Sequence, residues 1–357
     1  MSALLTLLAN CCSYFMSFPS KLTLRDIAEC LGVSHTTVSL ALKNSPQISE
    51  SRRLEIQQLA LQMGYTPNSA ATALAHYKQD SNDVPIQSSI AWINAWKRPG
   101  QLREFHEFQC YWQAAEATLA KAGYRLEEFV IDTHLTLRRL HAILIARNVP
   151  GIIIPPQSDF AAEDWAAFSW DQFSVVRIGR TMAAVASHMA APDQSANGIL
   201  AFHQIQRLGY QRIGYVGTNH LHQASTAGVL LANSRVPPAQ RVEPLLCDSG
   251  LTPQDQAKFE KWLRCQKPDA ILCDQSALPA MLAKAGLRVP EDVGLAALCV
   301  THCSADAGID PHGLSIGESA ARMLLRLLRS QERGLPKILQ ENLIKGTWVD
   351  GASLPPR

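Results

Sequence analysis

The sequence predicts a small all-α unit at the N-terminus, followed by a large α/β region of parallel sheets covered by helices. Residues 22–42 have the pattern of two short helices separated by a turn at Gly32. From about residue 88 onward, short apolar runs alternate with stretches of helical periodicity, an order typical of parallel sheets. The length of 357 residues suits two or three domains rather than one.

The N-terminal pattern is that of a helix-turn-helix. Thr23 is placed to cap the first helix, with Asp26 at the third helical position. Gly32 supplies the turn, and Ser34 is placed to cap the second helix. The residues expected to face the core are Leu24, Ile27, Ala28 and Leu31 in the first helix, Val33 in the turn, Val38 and Leu42 in the second helix, and Ile56, Leu59, Ala60 and Met63 in a third helix from Ser49 to Met63. This pattern favours DNA binding, and the alternative is a three-helix packing unit without a nucleic-acid role.

Composition limits the class of protein. With 47% hydrophobic and 18% charged residues the chain fits a soluble globular protein, and its net charge of +2 means that any DNA-binding surface is local. The nine cysteines are scattered without a CxxC pair, which favours reduced thiols in the cytoplasm and predicts neither a metal site nor a cofactor. Residues 1–20 are apolar but lack a basic region, so a disordered N-terminal extension is favoured over a signal peptide or anchor. No other run is long enough to span a bilayer, and we expect no membrane partner.

Several short sequence motifs, in a fixed order, resemble those of a known protein family. They are TLRDIAE, GVSHTTVS, ISESRR, GYTPN and an Ala-rich segment that ends in Leu74. Through these motifs, residues 22–75 resemble the headpiece and hinge of the LacI/GalR family of bacterial transcription regulators. The resemblance implies a headpiece over residues 21–66, a hinge helix and linker over 67–87, and a second helix that lies in the major groove.

The resemblance also assigns roles in DNA binding. It places His35, Thr36 and Leu40 on base edges, and Leu40 stands where the family often has an arginine, which suggests a different operator half-site. Contacts to the DNA backbone are expected from Thr23, Ser34, Thr37, Ser39, Asn44, Ser49, Arg52, Tyr65 and Asn68. Leu74 is the expected minor-groove wedge, with a plain linker as the alternative. Residues 21–80 hold only six basic against five acidic side chains, so we expect a homodimer on a palindromic operator.

After the headpiece and hinge, the sequence pattern predicts strands and helices in alternation. The predicted strands cover residues 89–95, 125–131, 151–154, 174–178, 212–216, 270–273, 294–299 and 343–348. The predicted helices cover residues 108–122, 137–147, 194–208, 253–265, 278–285 and 316–329.

This region resembles the family's two-lobed effector domain, which has the fold of periplasmic sugar-binding proteins. The words that carry the resemblance are AEATLAKAGY, LGYQRIGYVG, PDAIL and GLRVPEDV. The resemblance implies an effector-binding and dimerisation domain over residues 88–357. It predicts a first lobe of about 88–191 and 303–332, and a second of about 192–302 and 333–357.

A ligand between the lobes would contact side chains that follow the carboxyl ends of strands. The candidates are Trp96, Phe108, Arg180, Gln223, Asp274 and His302. Each has an ordinary alternative: core packing for the two aromatic residues and a surface salt bridge for Arg180. The acidic pair that the family often carries after the strand ending at Val300 is missing, and so is its arginine near Gly228, so the usual sugar clamp is not intact.

The function predicted from these observations is a sequence-specific DNA-binding regulator, of repressor type, that is controlled by a small-molecule effector with a carbohydrate as the first candidate. The alternative is a small-molecule receptor module with little or no role in DNA binding. The sequence holds no GxSxG, HExxH, P-loop or GxGxxG motif, and we expect no enzyme activity.

Overall fold

A computed structural model of the chain describes residues 24–42, 47–63, 88–157, 165, 168–181, 184–218, 223–248, 251–301 and 305–357. Its contacts divide the chain into two compact units, with the boundary between Asn82 and Asp83. Among the described residues, no helix is both long and apolar enough to cross a membrane.

Within its described residues, the N-terminal unit has three helices around a small apolar core. They are α1 (Leu24–Leu31), α2 (His35–Leu42) and α3 (Glu50–Gln62). Ile27, Val38 and Ile56, one from each helix, have no exposed surface. The helical spacing of apolar residues therefore predicted this core, with one difference: in α2 it is Ala41 that is fully buried, while Leu42 is half-buried.

The C-terminal unit contains two six-stranded sheets, which confirms the predicted two-lobed α/β fold. The first sheet has the order β11-β5-β4-β3-β1-β2, and the second has the order β12-β10-β9-β8-β6-β7. The strands are β1 (Ser88–Asn94), β2 (Tyr124–Val130), β3 (Gly151–Ile154), β4 (Ser174–Ile178), β5 (His188–Pro192), β6 (Ile213–Thr218), β7 (Leu245–Cys247), β8 (Ala270–Cys273), β9 (Gly294–Ala297), β10 (Gly308–Asp310), β11 (Glu341–Ile344) and β12 (Thr347–Val349). All neighbouring pairs are parallel except β10 and β12.

Helices cover both faces of each sheet. They are α4 (Gln101–Glu104), α5 (His106–Ala120), α6 (Leu137–Ala146), α7 (Gln194–Arg207), α8 (Gln223–Ser234), α9 (Gln256–Gln266), α10 (Leu278–Lys284) and α11 (Gly313–Ser330). In the first lobe α5 and α11 pack on one face of the sheet and α6 packs on the other. In the second lobe α7 and α8 cover one face, and α9 and α10 cover the opposite face. Because both faces are covered, the strands β3, β4, β8 and β9 are buried at every position.

The division between the lobes differs from the predicted one at the end of the chain. Strand β10 lies in the second sheet, although residues 303–332 were assigned to the first lobe. The single strand predicted over residues 343–348 is two strands, β11 in the first sheet and β12 in the second. The chain crosses at Gly346, where a Cβ atom would lie 2.5 Å from Ile309 Cγ2 and 2.7 Å from the Asp310 carbonyl oxygen. Only glycine allows so close a passage.

Five elements of the described residues were not predicted: β5, β7, β10, α4 and α8. The three strands are only three to five residues long, and α8 begins with Gln-Ala-Ser-Thr-Ala-Gly, which lacks a clear apolar period. Helix α8 is nevertheless held by its neighbour, because α7 and α8 pack along their length and bury Val229 and Ala232.

Candidate functional sites

The turn between α1 and α2 has the geometry that a helix-turn-helix needs. Gly32 adopts a φ of +60°, a backbone conformation that side chains disfavour, and its N–H donates to the Glu29 carbonyl at 3.3 Å. The Val33 N–H donates to the Ala28 carbonyl at 3.0 Å. These two bonds close the end of α1 and turn the chain into α2.

Ser34 caps α2, as the sequence predicted. The Thr37 N–H donates to Ser34 Oγ at 3.0 Å, and the hydroxyl groups of Ser34 and Thr37 lie 2.8 Å apart. A capped helix N-terminus favours an anion, because its free N–H groups and its dipole both point at it. Ser34 is exposed and Thr37 half-buried, so this end of α2 is open to a phosphate group.

The predicted base-contacting residues lie on the outer side of α2. His35 and Thr36 are exposed and Leu40 is half-buried, while Val38 and Ala41 point into the core. The remaining predicted contacts within the described residues are Ser49, exposed directly before α3, and Arg52. Thr23, Asn44, Tyr65, Asn68, Leu74 and His302 lie outside the described residues, as does the side chain of Ser39.

Two side chains of α3 hold α1 and α2 in place. Arg52 Nη2 donates to the Leu31 carbonyl at 3.2 Å, and Nη1 pairs with Glu55 at 2.6 Å. Gln57 Nε2 donates to the Ala41 carbonyl at 2.9 Å, near the end of α2. Arg52 thus has a structural role besides the predicted phosphate contact. Gln57 was not singled out from the sequence, because its partner is reached only through the helix packing.

In the first lobe, the predicted aromatic ligands are packed together. Trp96 is 7% exposed, and its indole N–H donates to the Pro156 carbonyl at 2.8 Å. Its ring centroid lies 5.8 Å from that of Phe105 and 6.2 Å from that of Phe108. This leaves little of Trp96 for a ligand. Phe108 is half-buried and lines a cavity of about 380 Å³ between α5 and β1.

Gln157 fixes the loops at the carboxyl edge of the first sheet. Its Oε1 accepts from the Ala95 N–H at 2.9 Å, and its Nε2 donates to the carbonyls of Ile93 and Pro155, each at 3.0 Å. The Gln157 N–H donates to Thr181 Oγ1 at 3.0 Å. A buried amide that satisfies both of its ends positions the loops after β1, β3 and β4 relative to one another.

Arg180 lies at the same edge and is engaged by a carboxylate. Its Nη2 lies 2.8 Å from Glu341 Oε2, and its Nη1 donates to Oε1 at 3.4 Å. Glu341 opens β11, which adjoins β5 in the same sheet. The salt bridge that was the alternative for Arg180 is therefore present, although both side chains keep more than a third of their surface exposed.

In the second lobe, Asp274 belongs to a polar cluster at the ends of β6 and β8. Gln275 Nε2 donates to Asp274 Oδ1, while Oδ2 is buried. Tyr215 Oη lies 3.2 Å from Thr226 Oγ1 on α8. Burial first, and then the Asp274 charge, raise the pKa of Tyr215 well above its ordinary value. The sequence predicted Asp274 but missed Tyr215 and Thr226, which are 11 residues apart and meet only because α8 packs on β6.

Gln223, the other predicted residue of this lobe, is exposed at the first position of α8. It lies one helical turn before Thr226, on the same side of the helix. The structure thus brings Asp274 and the N-terminal turn of α8 to the same end of the second sheet.

Glu107 connects the two lobes. Tyr111, one turn later on α5, donates to Glu107 Oε1, and the Cys299 thiol of the second lobe lies 3.5 Å from Oε2. Burial first, and then the Glu107 charge, raise the pKa of Tyr111 well above its ordinary value. Among the described residues, no group of three His, Cys, Asp or Glu side chains is arranged to hold a metal ion.

Comparison with known proteins agrees with this geometry. Residues 23–68 match the family model described as bacterial regulatory proteins of the lacI family, and residues 202–354 match that of a periplasmic binding protein-like domain. The chain therefore carries a lacI-type helix-turn-helix domain followed by a periplasmic binding protein-like domain. Its headpiece is similar to that of the probable HTH-type transcriptional repressor ExuR of Bacillus subtilis, with 54% identity over 56 residues, which are 16% of this chain and 17% of ExuR.

A second relative aligns over more of the chain. The HTH-type transcriptional regulator GalR of Escherichia coli is 25% identical over 202 residues, which are 56% of this chain and 54% of GalR. These two alignments span less than two thirds of either relative. A crystal structure of the lac repressor dimer bound to operator and the anti-inducer ONPF shares the fold, with a TM-score of 0.52 and 19% identity over 94% of this chain and all of that one.

Proposed function

We propose that this chain is a DNA-binding transcription regulator of the repressor type. It binds a roughly palindromic operator as a homodimer and responds to a small molecule held between its lobes. The observation that carries the proposal is the start of α2, where Ser34 caps the helix and His35 and Thr36 stand exposed beside it. Both relatives described above are named as transcriptional regulators, and a regulator of chromosomal genes acts in the bacterial cytoplasm.

The charge of the headpiece supports the homodimer. Residues 21–80 carry one more basic than acidic side chain, so a single copy has little electrostatic attraction to phosphate. Two copies on successive major grooves double the contacts and place two hinge segments side by side. A hinge of residues 68–75 is too short to be a stable helix alone, which is why pairing on DNA would order it.

Readout by α2 is tested with the full chain and duplexes that tile the region upstream of its own gene. We expect the double substitution His35→Ala and Thr36→Ala to weaken the specific complex by about tenfold or more, since each base contact contributes roughly 1–3 kcal/mol. Binding to an unrelated duplex should change little, because phosphate contacts remain. Gln58→Ala, exposed on α3, is the matched control.

The outcome also separates the two candidate functions. A parent protein that shifts none of these duplexes at low salt supports the receptor module without a DNA-binding role. A double variant that binds its operator as tightly as the parent contradicts the assignment of α2 as the reading helix.

Polar side chains at the ends of the two sheets support the proposal that a small molecule binds between the lobes. Asp274, Tyr215 and Thr226 face the end of one sheet, and Arg180 lies at the end of the other. Ligands of open α/β sheets bind beyond the carboxyl ends of strands. Asp274→Asn is therefore expected to weaken effector binding while operator binding without effector stays unchanged, which melting and anisotropy measurements with a panel of metabolites would detect.

A further inference from the structure

Arg177 is a charged residue placed inside the core of the first lobe. It is the fourth residue of β4, and its neighbours in register are Ile154 on β3 and Met189 on β5, both fully buried. Only 6% of its surface is exposed. An apolar side chain would fill this position at no electrostatic cost.

The Arg177 guanidinium is incompletely satisfied. Its Nε and Nη1 atoms are buried, and neither has a hydrogen-bond partner within the described part of the chain. Burial is the main effect on its pKa and lowers it, yet an arginine keeps its charge under all ordinary conditions. The fold therefore retains a cation with two donor nitrogens that have no partner among the described residues.

The surroundings of this side chain indicate where those donors lie. Arg177, Met189 and Glu341 are in register across β4, β5 and β11, so the side chains of Arg177 and Glu341 lie on the same face of the sheet. The Arg180 guanidinium is ion-paired with Glu341 on that face. Arg180 follows β4 after Ile178 and Gly179, at the carboxyl edge of the sheet, and Gly179 adds no side chain there. This edge is the first-lobe half of the proposed effector site.

We propose that Arg177 and Arg180 together bind an oxyanion of the effector, so that the effector is a sugar acid or a sugar phosphate rather than a neutral sugar. Guanidinium groups match the geometry of carboxylate and phosphoryl oxygens, and charge-assisted bonds of this kind are the strong ones. In the structure the Glu341 carboxylate is ion-paired with Arg180, and the oxyanion of the ligand would take the place of that carboxylate.

This assignment also connects ligand binding to the lobes. Glu341 opens β11, directly before the chain crosses at Gly346 into the second sheet. An effector oxyanion that takes Arg180 releases Glu341 from its partner and changes the contact beside that crossing. The inference rests on the proposed function, because it names the chemical class of the proposed effector. It can be tested separately, since ligand binding is measurable without DNA.

The test measures binding of matched pairs to the full chain by thermal melting and titration calorimetry. The probes are gluconate, glucuronate, galacturonate and glucose 6-phosphate, each compared with glucose or galactose. We expect at least one anionic probe to bind saturably and its neutral counterpart to bind at least about tenfold more weakly. The carboxylates and the phosphate are separate arms that distinguish the two sources of the oxyanion.

Variants assign the binding to the two arginines. Arg177→Met and Arg180→Gln are each expected to weaken the anionic probe by about tenfold or more, whereas Arg138→Gln, exposed on α6, should leave it unchanged. Arg177→Met should also raise the melting temperature of the free protein, because it removes a buried unpaired charge. Arg180 is exposed enough that its replacement does not threaten folding.

Three results would overturn the assignment. They are a neutral sugar that binds as tightly as its acid, an anion whose affinity survives both substitutions, and a panel in which no anionic probe binds. Failure of the DNA-binding function is a separate result, since it shows as a lack of operator binding by a protein that still binds the anion.

Discussion

Replacing Ile56 with alanine is expected to unfold the headpiece while the larger unit stays folded. Ile56 has no exposed surface and packs with Ile27 and Val38 between the three helices. Truncating a buried isoleucine to alanine costs about 2–5 kcal/mol, the sum of lost transfer energy and the cavity that remains. A folded unit is stabilised by about 0.05–0.15 kcal/mol per residue, which for the matched stretch of residues 23–68 gives roughly 2–7 kcal/mol. The substitution therefore removes most of the headpiece's stability.

Leu54 provides the control on the same helix. It is half exposed at 50%, so Leu54→Ala should cost no more than about 0.5 kcal/mol. Hydrogen exchange of the full chain, followed by mass spectrometry, would report protection in residues 50–62 and in the larger unit separately. We expect Ile56→Ala to lose protection in the headpiece and to bind operator more than tenfold more weakly, with Leu54→Ala close to the parent.

The reasoning would be refuted by equal protection in the two variants, or by operator affinity that survives a demonstrably unfolded headpiece. A loss of protection in the larger unit would contradict the division into two compact units.

Three further predictions follow from single side chains. Ser34→Ala removes the acceptor of the Thr37 N–H and should destabilise the headpiece by about 1 kcal/mol in urea denaturation, with weaker operator binding; no change in either would contradict the cap. Leu74→Ala should weaken specific binding far more than dimerisation, measured by anisotropy and sedimentation, and equal operator affinity would refute the wedge. Hydrogen bonds from Arg288 lower the pKa of Asp292 from 3.8 to about 2. Its stabilising effect is complete above the unfolded value and is lost as the pH falls toward 2, so Asp292→Asn should show a flatter decline in urea midpoint between pH 4 and pH 2.

The headpiece was predictable because its determinants are local. Gly32 must take a positive φ, Ser34 caps the helix three residues before its partner, and the apolar residues repeat within each helix. Each of these constraints acts within a few residues along the chain. A family resemblance in the same stretch then placed α2 as the reading helix, and the exposure of His35 and Thr36 is consistent with it.

In the two-lobed domain, the alternation of strands and helices was predictable from the sequence, but the sheet to which each short strand belongs was not. Alternating strands and helices indicated two parallel sheets, yet a strand of three residues such as β10 carries too little pattern to show its sheet. The separation of β11 from β12 depends on the close approach of Gly346 to Ile309, which the sequence does not display.

What the sequence alone determined is therefore the kind of fold: a helix-turn-helix unit followed by a two-lobed α/β domain. What only the tertiary structure decided is which charges and donors remain available for a ligand. Arg180 meets Glu341 from 161 residues away, and Trp96 donates to a carbonyl 60 residues away. Arg177 Nε and Nη1 have no partner among the described residues because the neighbours in register, Ile154 and Met189, are apolar. Such contacts depend on the order of the strands in each sheet and on where the chain crosses between the lobes. The periodicity of a sequence specifies neither.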